Sequence, residues 1–214
     1  MNEILGYGED ALTLWAIKKR ISEILDRLND RSSTLDCLTL FRPSFGRSGG
    51  EGSAQFGEFD SILASSENIY LIESKRDNFS GNKNDEIMLD NEQMLRHKIF
   101  SWYYMNWDAE QYPNWREFSN ALQNDFIRNF PSKKIAPPES LLARNQEFVL
   151  KKLQEHCKRF SCEYREPKNV LFYFYDRIRS IEIKRVTAAI GNEIFKVVNI
   201  DYSRYILGNF ITLD

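Results

Sequence analysis

Hydrophobic and polar positions follow two different periods along this chain, which predicts a mixture of helices and strands. Leucine and isoleucine recur every three or four residues across 10–28, the spacing of one face of an amphipathic helix. Helical spacing of apolar residues returns at 87–107, 115–130 and 139–160. We therefore predict one helix near the amino end and three helices in the middle of the chain.

Short runs rich in β-branched and aromatic residues predict strands on both sides of this helical middle. Two upstream runs, 55–63 and 68–75, are separated by only four residues, which favours an antiparallel pair. The downstream run Asn169–Tyr175 is apolar and aromatic almost throughout, as expected for a central strand covered on both faces. The other predicted strands are 35–41, 180–185, 194–201 and 205–213.

This order of elements favours the α/β class, with a mixed central β-sheet flanked by helices. We assign the whole chain, 1–214, to a single domain with a helical insertion at about 110–160 and C-terminal strands at 169–213. A glycine- and serine-rich segment at 42–53 is expected to form a mobile loop.

The composition excludes the disordered and collagen-like classes of protein. With 42% hydrophobic and 28% charged residues, the chain has the composition of a folded protein. The net charge is −2, but lysine and arginine exceed the acidic residues within 144–185, which predicts either a solvated helix and hairpin or a binding surface for phosphates.

Apolar runs are too short for a membrane helix, so we expect no membrane partner. Three scattered cysteines and an amino terminus unlike a signal peptide predict a cytoplasmic protein.

Candidate chemistry lies on the two upstream strands that are expected to pair. Residues two apart share one face of a strand, so Glu73 and Lys75 are predicted side by side. On the neighbouring strand, the same alternation places Glu58 and Asp60 on one face. Asp60 and Glu73 are thus expected to meet and to bind Mg²⁺, with Mn²⁺ as a substitute, because hard cations prefer carboxylate oxygens. Together with Lys75 as a group that positions water, they predict metal-assisted phosphodiester hydrolysis.

Asp60, followed after twelve residues by Glu73-Ser74-Lys75, resembles the motif of the PD-(D/E)XK nuclease superfamily. In that superfamily an amino-terminal helix commonly contributes an acidic residue, which Glu9 matches. In RecB-type and Holliday-junction-resolvase-like members a glutamine follows on a helix, which Gln93 matches. The resemblance covers about 6–105 and implies a restriction-endonuclease-like core and a DNA substrate. It also implies a catalytic set in which Glu9 joins the metal ligands and Gln93 supports the site.

The sequence departs from the superfamily pattern at two positions and contains two further Glu-x-Lys triplets. Phe59 stands where the motif has proline, and His97, expected on the surface or in helix packing, stands where an aromatic residue often follows the glutamine. Proline cannot donate to a sheet ladder, which argues against the triplet Glu166-Pro167-Lys168. Glu182-Ile183-Lys184 is a rival site, although an edge hairpin with charges facing solvent explains it more simply.

Several charged residues near the proposed site have more than one interpretation. Arg42, Arg47 and Arg76 either contact a phosphate backbone or are ordinary surface arginines. Glu58 is either a partner of the site or a solvated strand residue, and we favour the latter.

The sequence supports two classes of function. The first is a Mg²⁺-dependent deoxyribonuclease, acting as an endonuclease or exonuclease in restriction, repair or defence. The second is a non-catalytic nucleic-acid-binding or protein-interaction module on the same fold, because fold and function separate easily. The intact acidic residues and lysine favour the first class. Symmetric cutting of both DNA strands would require a homodimer, and membership of a larger nuclease complex is also compatible with the sequence.

Overall fold

A mixed five-stranded sheet with helices on both faces organises the part of the chain that the computed structural model describes, residues 3–46, 51–77, 84–161, 165–188 and 194–213. This architecture confirms the predicted α/β class. Among the described residues, no helix is long and apolar enough to cross a membrane. Arg47 lies outside the described residues.

Twelve strands and five α-helices are present in the described ranges. The helices are α1 (Gly8–Lys19), α2 (Ile21–Leu28), α3 (Asn91–Asn106), α4 (Trp115–Asn129) and α5 (Leu141–Phe160). The strands are β1 (Leu5–Tyr7), β2 (Leu38–Phe41), β3 (Ser44–Phe45), β4 (Gly57–Glu58), β5 (Ser61–Ala64), β6 (Ile69–Arg76), β7 (Glu86–Leu89), β8 (Lys168–Tyr175), β9 (Arg185–Ala188), β10 (Lys196–Asp201), β11 (Ile206–Leu207) and β12 (Phe210–Thr212).

The main sheet has the strand order β10-β8-β6-β5-β2. Strands β6, β8 and β10 are parallel, whereas β5 pairs antiparallel with both β6 and β2. The predicted antiparallel pair and the predicted interior strand are therefore confirmed, the latter as β8, which is buried from Val170 to Tyr175. The remaining strands form a small sheet, β1-β12-β11, and two ribbons, β3-β4 and β7-β9.

Alternation along β6 divides the hydrophobic core between the two faces of the sheet. Ile69 and Leu71 pack with the residues of α3, α4 and α5, while Tyr70 and Ile72 pack with those of α1 and α2. The α3–α5 side is rich in aromatic rings. Phe118 is fully buried there, with its ring centroid 5.1 Å from that of Trp107.

A buried carboxylate joins the end of α2 to the turn between β5 and β6. Asp30 Oδ2 accepts hydrogen bonds from Ser65 Oγ at 2.6 Å and from Tyr70 Oη at 2.7 Å, and Oδ1 accepts from the backbone N–H of Ser32 at 2.9 Å. Although burial opposes ionisation, these hydrogen bonds lower the pKa of Asp30 to about 2. The charged carboxylate therefore stabilises this junction.

The upstream predictions need three corrections. The single helix predicted over 10–28 is two helices, because Arg20 leaves helical geometry and its guanidinium lies over the rings of Trp15 and Tyr205. The predicted strand 35–41 opens with a 3-10 turn in which Leu35 is exposed, and the strand begins at Leu38.

The third correction concerns 42–53, which was predicted to be a loop. Part of it forms β3, where Phe45 is fully buried and stacks on Phe56. The aromatic side chain anchors this segment on the core despite the surrounding glycine and serine residues.

Two downstream predictions also need correction. The helix predicted from residue 87 begins at Asn91, because Glu86–Leu89 pairs as strand β7 with β9. The strand predicted at 180–185 lies instead at Arg185–Ala188, and residues 181–184 have no regular structure. At 86–89 the short apolar run fits a helix or a strand, and the pairing with β9 decides between them.

Candidate active site

The paired ends of β5 and β6 bring Asp60 and Glu73 together, as predicted. Ser61 is opposite Ile72 in the antiparallel register, so the next pair outwards is Asp60 and Glu73. The backbone N–H of Ser74 donates to Asp60 Oδ2 at 2.7 Å. Asp60 is thus held against the backbone of β6, beside the buried carboxylate of Glu73.

Glu58 does not join Asp60, contrary to the predicted alternation. The strand predicted over 55–63 is interrupted between β4 and β5, where Gly57 has a φ of 106° and Phe59 is fully buried in the core. Glu58 instead accepts hydrogen bonds from Ser44 Oγ at 2.9 Å and from Arg42 Nη2 at 2.8 Å, which lower its pKa. Its role is to hold the β3-β4 ribbon, so it is neither a partner of the carboxylate pair nor simply solvated.

The buried carboxylate of Glu73 is surrounded by donors and cations. Gln93 Nε2 donates to Oε1, and Arg96 Nη1 donates to Oε2 at 3.3 Å. His97 Nε2 lies 3.7 Å from Oε2, and Lys75 Nζ lies 4.0 Å from Oε1. Burial opposes ionisation, but the hydrogen-bonding and charged neighbours outweigh it and lower the pKa of Glu73. Glu73 is therefore the ionised member of the pair.

Gln93 reaches Glu73 because it also caps α3. Its Oε1 accepts a hydrogen bond from the backbone N–H of Asp90 at 3.0 Å, in a capping box at the start of the helix. With the carbonyl oxygen used in this way, the amide NH₂ faces Glu73. One side chain thus fixes both the start of α3 and the orientation of the carboxylate.

Glu9 reaches the site from the first turn of α1. Its Oε2 accepts a hydrogen bond from the backbone N–H of Arg76 at 2.9 Å. The hydroxyl of Thr13 donates to Ser74 Oγ at 2.7 Å, in a buried contact that ties α1 to β6. Burial raises the pKa of Glu9, while the charge of Lys75 opposes that rise.

Three neighbouring carboxyl groups make full ionisation of the site unfavourable. Burial is the main cause that raises the pKa of Asp60 to about 7, and the charges of Glu73 and Glu9 raise it further. The Ser74 N–H and the ammonium of Lys75 act in the opposite direction. A cation at this position would relieve the repulsion and favour the ionised form of Asp60.

The donor set is compatible with a hard divalent cation. Asp60 Oδ1 and Glu9 Oε1 make no hydrogen bond within the described residues, so each offers an oxygen, and Glu73 lies beside them. Among the described residues, no group of three or more His, Cys, Asp or Glu side chains is arranged to hold a metal ion by itself. Mg²⁺ does not require such a group, because it commonly uses one or two carboxylates together with water and substrate phosphate.

Two residues of the site, Arg96 and His97, were not predicted from the sequence. Arg96 Nη1 also donates to the carbonyl oxygen of Glu58, and its guanidinium lies over the ring of Phe59. His97 is fully buried, so it is a packing residue and not a surface one. Both follow Gln93 by three and four positions, which places all three on one face of α3. That spacing is the signal that could have identified them.

The rival triplet Glu182-Ile183-Lys184 does not form a comparable site. Glu182 Oε1 accepts a hydrogen bond from Tyr175 Oη at 2.7 Å, whereas Lys184 Nζ lies 3.5 Å from Asp85 Oδ2. The predicted edge hairpin is also wrong, because these three residues lie outside any strand. Their charges serve separate local contacts.

Arg42 and several cations of the basic segment form ion pairs within the protein, although Arg179 is only loosely paired. Arg42 pairs with Asp10 and Glu58, and the guanidinium of Arg76 lies 5.2 Å from the ring centroid of Tyr202. Several cations of 144–185 form ion pairs with acidic neighbours: Lys151, Lys152, Lys158, Arg177 and Arg179. These pairings favour the interpretation of 144–185 as a solvated, locally neutralised segment.

Comparison with protein-family models, with curated proteins and with solved structures finds no match for this chain.

Proposed function

We propose that this chain is a Mg²⁺-dependent deoxyribonuclease that hydrolyses phosphodiester bonds at the paired ends of β5 and β6. The observation that carries the proposal is the meeting of three carboxyl groups, Glu9, Asp60 and Glu73, with the ammonium of Lys75. Two of these carboxyls contact the backbone of β6, and Lys75 is on β6 itself. Backbone anchoring favours the fixed geometry that catalysis requires.

Each residue of the site has a role that follows from its position. Asp60, Glu73 and Glu9 would hold the cation, which when bound supplies Lewis-acid activation of the phosphodiester. Lys75 has a side chain that is 32% exposed, so its ammonium can reach a substrate and still lie within 4.0 Å of Glu73. There it would position the attacking water and offset negative charge that develops on the phosphate.

Gln93 and Arg96 are positioning residues in this proposal. A buried carboxylate can rotate unless its oxygens are held, and a rotated Glu73 would present the wrong oxygen to the cation. Gln93 and Arg96 each donate to a different oxygen of Glu73. Arg96 also supplies the positive charge that a buried carboxylate needs when no cation is bound.

The proposal of DNA as substrate rests on the spacing of Asp60 and Glu73-Ser74-Lys75, together with the open position of the site. Lys75 and Arg76 lie at the end of β6 and are partly exposed, so a polymer can approach this edge of the sheet. The non-catalytic alternative lacks a comparable reason for placing three carboxyls where they repel one another.

The test is cleavage of supercoiled, linear, single-stranded and branched DNA by the purified chain, with Mg²⁺, with Mn²⁺ and with chelator. We expect cleavage only with metal. Lys75→Ala should lower the cleavage rate by about a hundredfold or more while DNA affinity changes little, because the ammonium acts mainly on the transition state. Lys184→Ala is the matched control, since it removes the lysine of another Glu-x-Lys triplet, and it should retain cleavage.

Calorimetry with Mg²⁺ separates metal binding from catalysis. The double variant Asp60→Ala, Glu73→Ala should lose the metal site, whereas Lys75→Ala should keep it. If Lys75→Ala cleaves DNA as fast as Lys184→Ala, the catalytic assignment is wrong. If the wild-type chain neither binds metal nor cleaves any of the four substrates, the non-catalytic module becomes the better description.

A further inference from the structure

A second feature at the same edge of the sheet is a pocket of about 310 Å³. Its walls come from the carboxyl ends of three parallel strands: Arg76 ends β6 and Asp77 follows it, Arg179 follows β8, and Tyr202 follows β10. Asn209, in the turn before β12, also lines it. Ligands of open α/β sheets bind outside the carboxyl ends of their strands, and this volume is at the lower end for small-molecule sites. The pocket therefore suits a ligand the size of one nucleotide.

The acidic side chains of the pocket are turned towards the protein. Asp77 Oδ1 accepts a hydrogen bond from Tyr202 Oη at 2.5 Å, and Oδ2 accepts from Ser180 Oγ at 2.5 Å and from the backbone N–H of Asp176 at 3.0 Å. Asp176 Oδ1 accepts from the backbone N–H of Ile178 at 2.9 Å. Three of their four carboxylate oxygens are thus occupied by hydrogen bonds within the wall.

The hydrogen-bond donors of the pocket remain available to a ligand. Arg76 contacts Tyr202 through Nε and through the face of the ring, and its two terminal nitrogens make no hydrogen bond to any described residue. Arg179 has a side chain that is 64% exposed and lies only loosely beside Asp176, at 3.6 Å. The amide of Asn209 makes no hydrogen bond within the described residues and is exposed. Two guanidiniums and an amide are donors that suit phosphate oxygens.

Arg76 links the pocket to the candidate active site. Arg76 follows Lys75 directly, and its backbone N–H holds the carboxylate of Glu9 while its side chain lines the pocket. A nucleic acid strand with one phosphate at the carboxylates would therefore place a neighbouring nucleotide at Arg76.

We propose that this pocket binds the phosphate group of the nucleotide next to the scissile phosphodiester, with Arg76 and Arg179 as its two cationic ligands. The position relative to the scissile bond rests on the proposed function, whereas phosphate binding itself does not. The volume of about 310 Å³ leaves room for the sugar or base that the phosphate carries, so the site should prefer a nucleotide to inorganic phosphate.

The test uses a deoxynucleoside 5′-monophosphate as probe, with chelator present so that no metal takes part. Binding is followed by titration calorimetry or by NMR of the protein. We expect millimolar affinity for the wild-type chain, weakened at least fivefold by Arg179→Ala and by Arg76→Ala, the latter leaving the backbone N–H to Glu9 intact. Arg177→Ala is the matched control, because Arg177 is in the same turn but pairs with Asp201 and does not line the pocket. It should bind the probe as the wild type does.

Two further probes identify what is recognised. Inorganic phosphate should bind more weakly than the monophosphate, and the unphosphorylated deoxynucleoside should not bind detectably. If Arg179→Ala and Arg177→Ala bind the monophosphate equally well, or if the nucleoside binds as tightly as the monophosphate, the proposal is overturned.

Cleavage kinetics distinguish this proposal from the nuclease assignment. If the chain cleaves DNA, Arg179→Ala should raise KM several-fold and leave kcat unchanged. It should also reduce the slope of DNA affinity against salt concentration by the equivalent of about one phosphate contact. An equal loss in kcat would overturn the assignment of Arg179 to substrate binding. Arg179-dependent nucleotide binding by a chain that cleaves no DNA would support the phosphate site and remove the nuclease function.

Discussion

Replacing Asp60 by Asn should make the protein more stable at neutral and alkaline pH when no divalent cation is present. The site forces three carboxyl groups together, and Asp60 has a pKa raised to about 7 by burial and by Glu73 and Glu9. Asparagine keeps an oxygen that can accept the hydrogen bond from Ser74, now 2.7 Å long. The substitution removes the charge and replaces the other carboxylate oxygen by an amide NH₂.

The sign of the effect follows from proton linkage. An unfolded chain releases the Asp60 proton near pH 3.8, whereas the folded protein holds it up to about pH 7. The folded state therefore binds more protons within this window, so stability falls as pH rises through it. The full shift in the pKa of Asp60 corresponds to about 4 kcal/mol of lost folding stability at pH 8. Solvent screening at this partly exposed position reduces that loss to about 2–3 kcal/mol. At pH 5 the expected difference in stability between Asp60→Asn and the wild type is about 1 kcal/mol.

The assay is urea unfolding with chelator at pH 5 and pH 8, followed by tryptophan fluorescence. The variant should gain stability mainly at pH 8. Saturating Mg²⁺, added in place of the chelator, should stabilise the wild type but not the variant. The difference between their free energies of unfolding should therefore become smaller. Asp125→Asn, an exposed carboxylate on α4, serves as control and should change stability by less than about 0.5 kcal/mol. An Asp60→Asn variant that is no more stable than wild type at pH 8, or equally favoured at both pH values, would refute this account.

Three further changes test other contacts. Gln93→Ala should cost about 1 kcal/mol of stability in thermal melts and should slow cleavage at least tenfold, because it removes both the α3 cap and a donor to Glu73; unchanged cleavage would exclude a positioning role. Asp30→Asn should lower the free energy of unfolding by about 2 kcal/mol above pH 4, and this loss should disappear as the pH falls to about 2, because the wild-type carboxylate is then protonated. Urea unfolding across that pH range measures it. A difference in stability that persists unchanged below pH 2 would contradict the linkage. Phe118→Ala should destabilise the α3–α5 side by about 3–5 kcal/mol in the same assay, since the ring is fully buried; a loss below about 1 kcal/mol would mean that the neighbouring rings refill the space.

The sheet was predictable where burial imposes an unambiguous period. β6 and β8 are confirmed within one residue of their predicted bounds, because their apolar runs are too short for buried helices. The break at Arg20 was not predictable, because apolar spacing continues from α1 into α2 across it. Contacts of Arg20 with distant rings decide that geometry.

The site was predictable only in part for a related reason. Asp60 and Glu73 could be placed together because a short connection joins their strands. Glu9 and Gln93 were suggested by resemblance alone, since nothing local fixes how a helix lies on a sheet. The error at Glu58 arose because a buried phenylalanine, Phe59, interrupts the alternation that the sequence displays.

The combination of a local hairpin with a long-range parallel pairing has a consequence for how the protein folds. β5 and β6 are neighbours in sequence, whereas β6 pairs with β8 from almost a hundred residues away, as in the match of Ile72 with Val170. Loop-closure entropy makes such distant pairings slow, so the hairpin should form early and β8 should join it late. Asp60 and Glu73 would then meet early in folding. The pocket between β6, β8 and β10 would be completed only in the last steps of refolding.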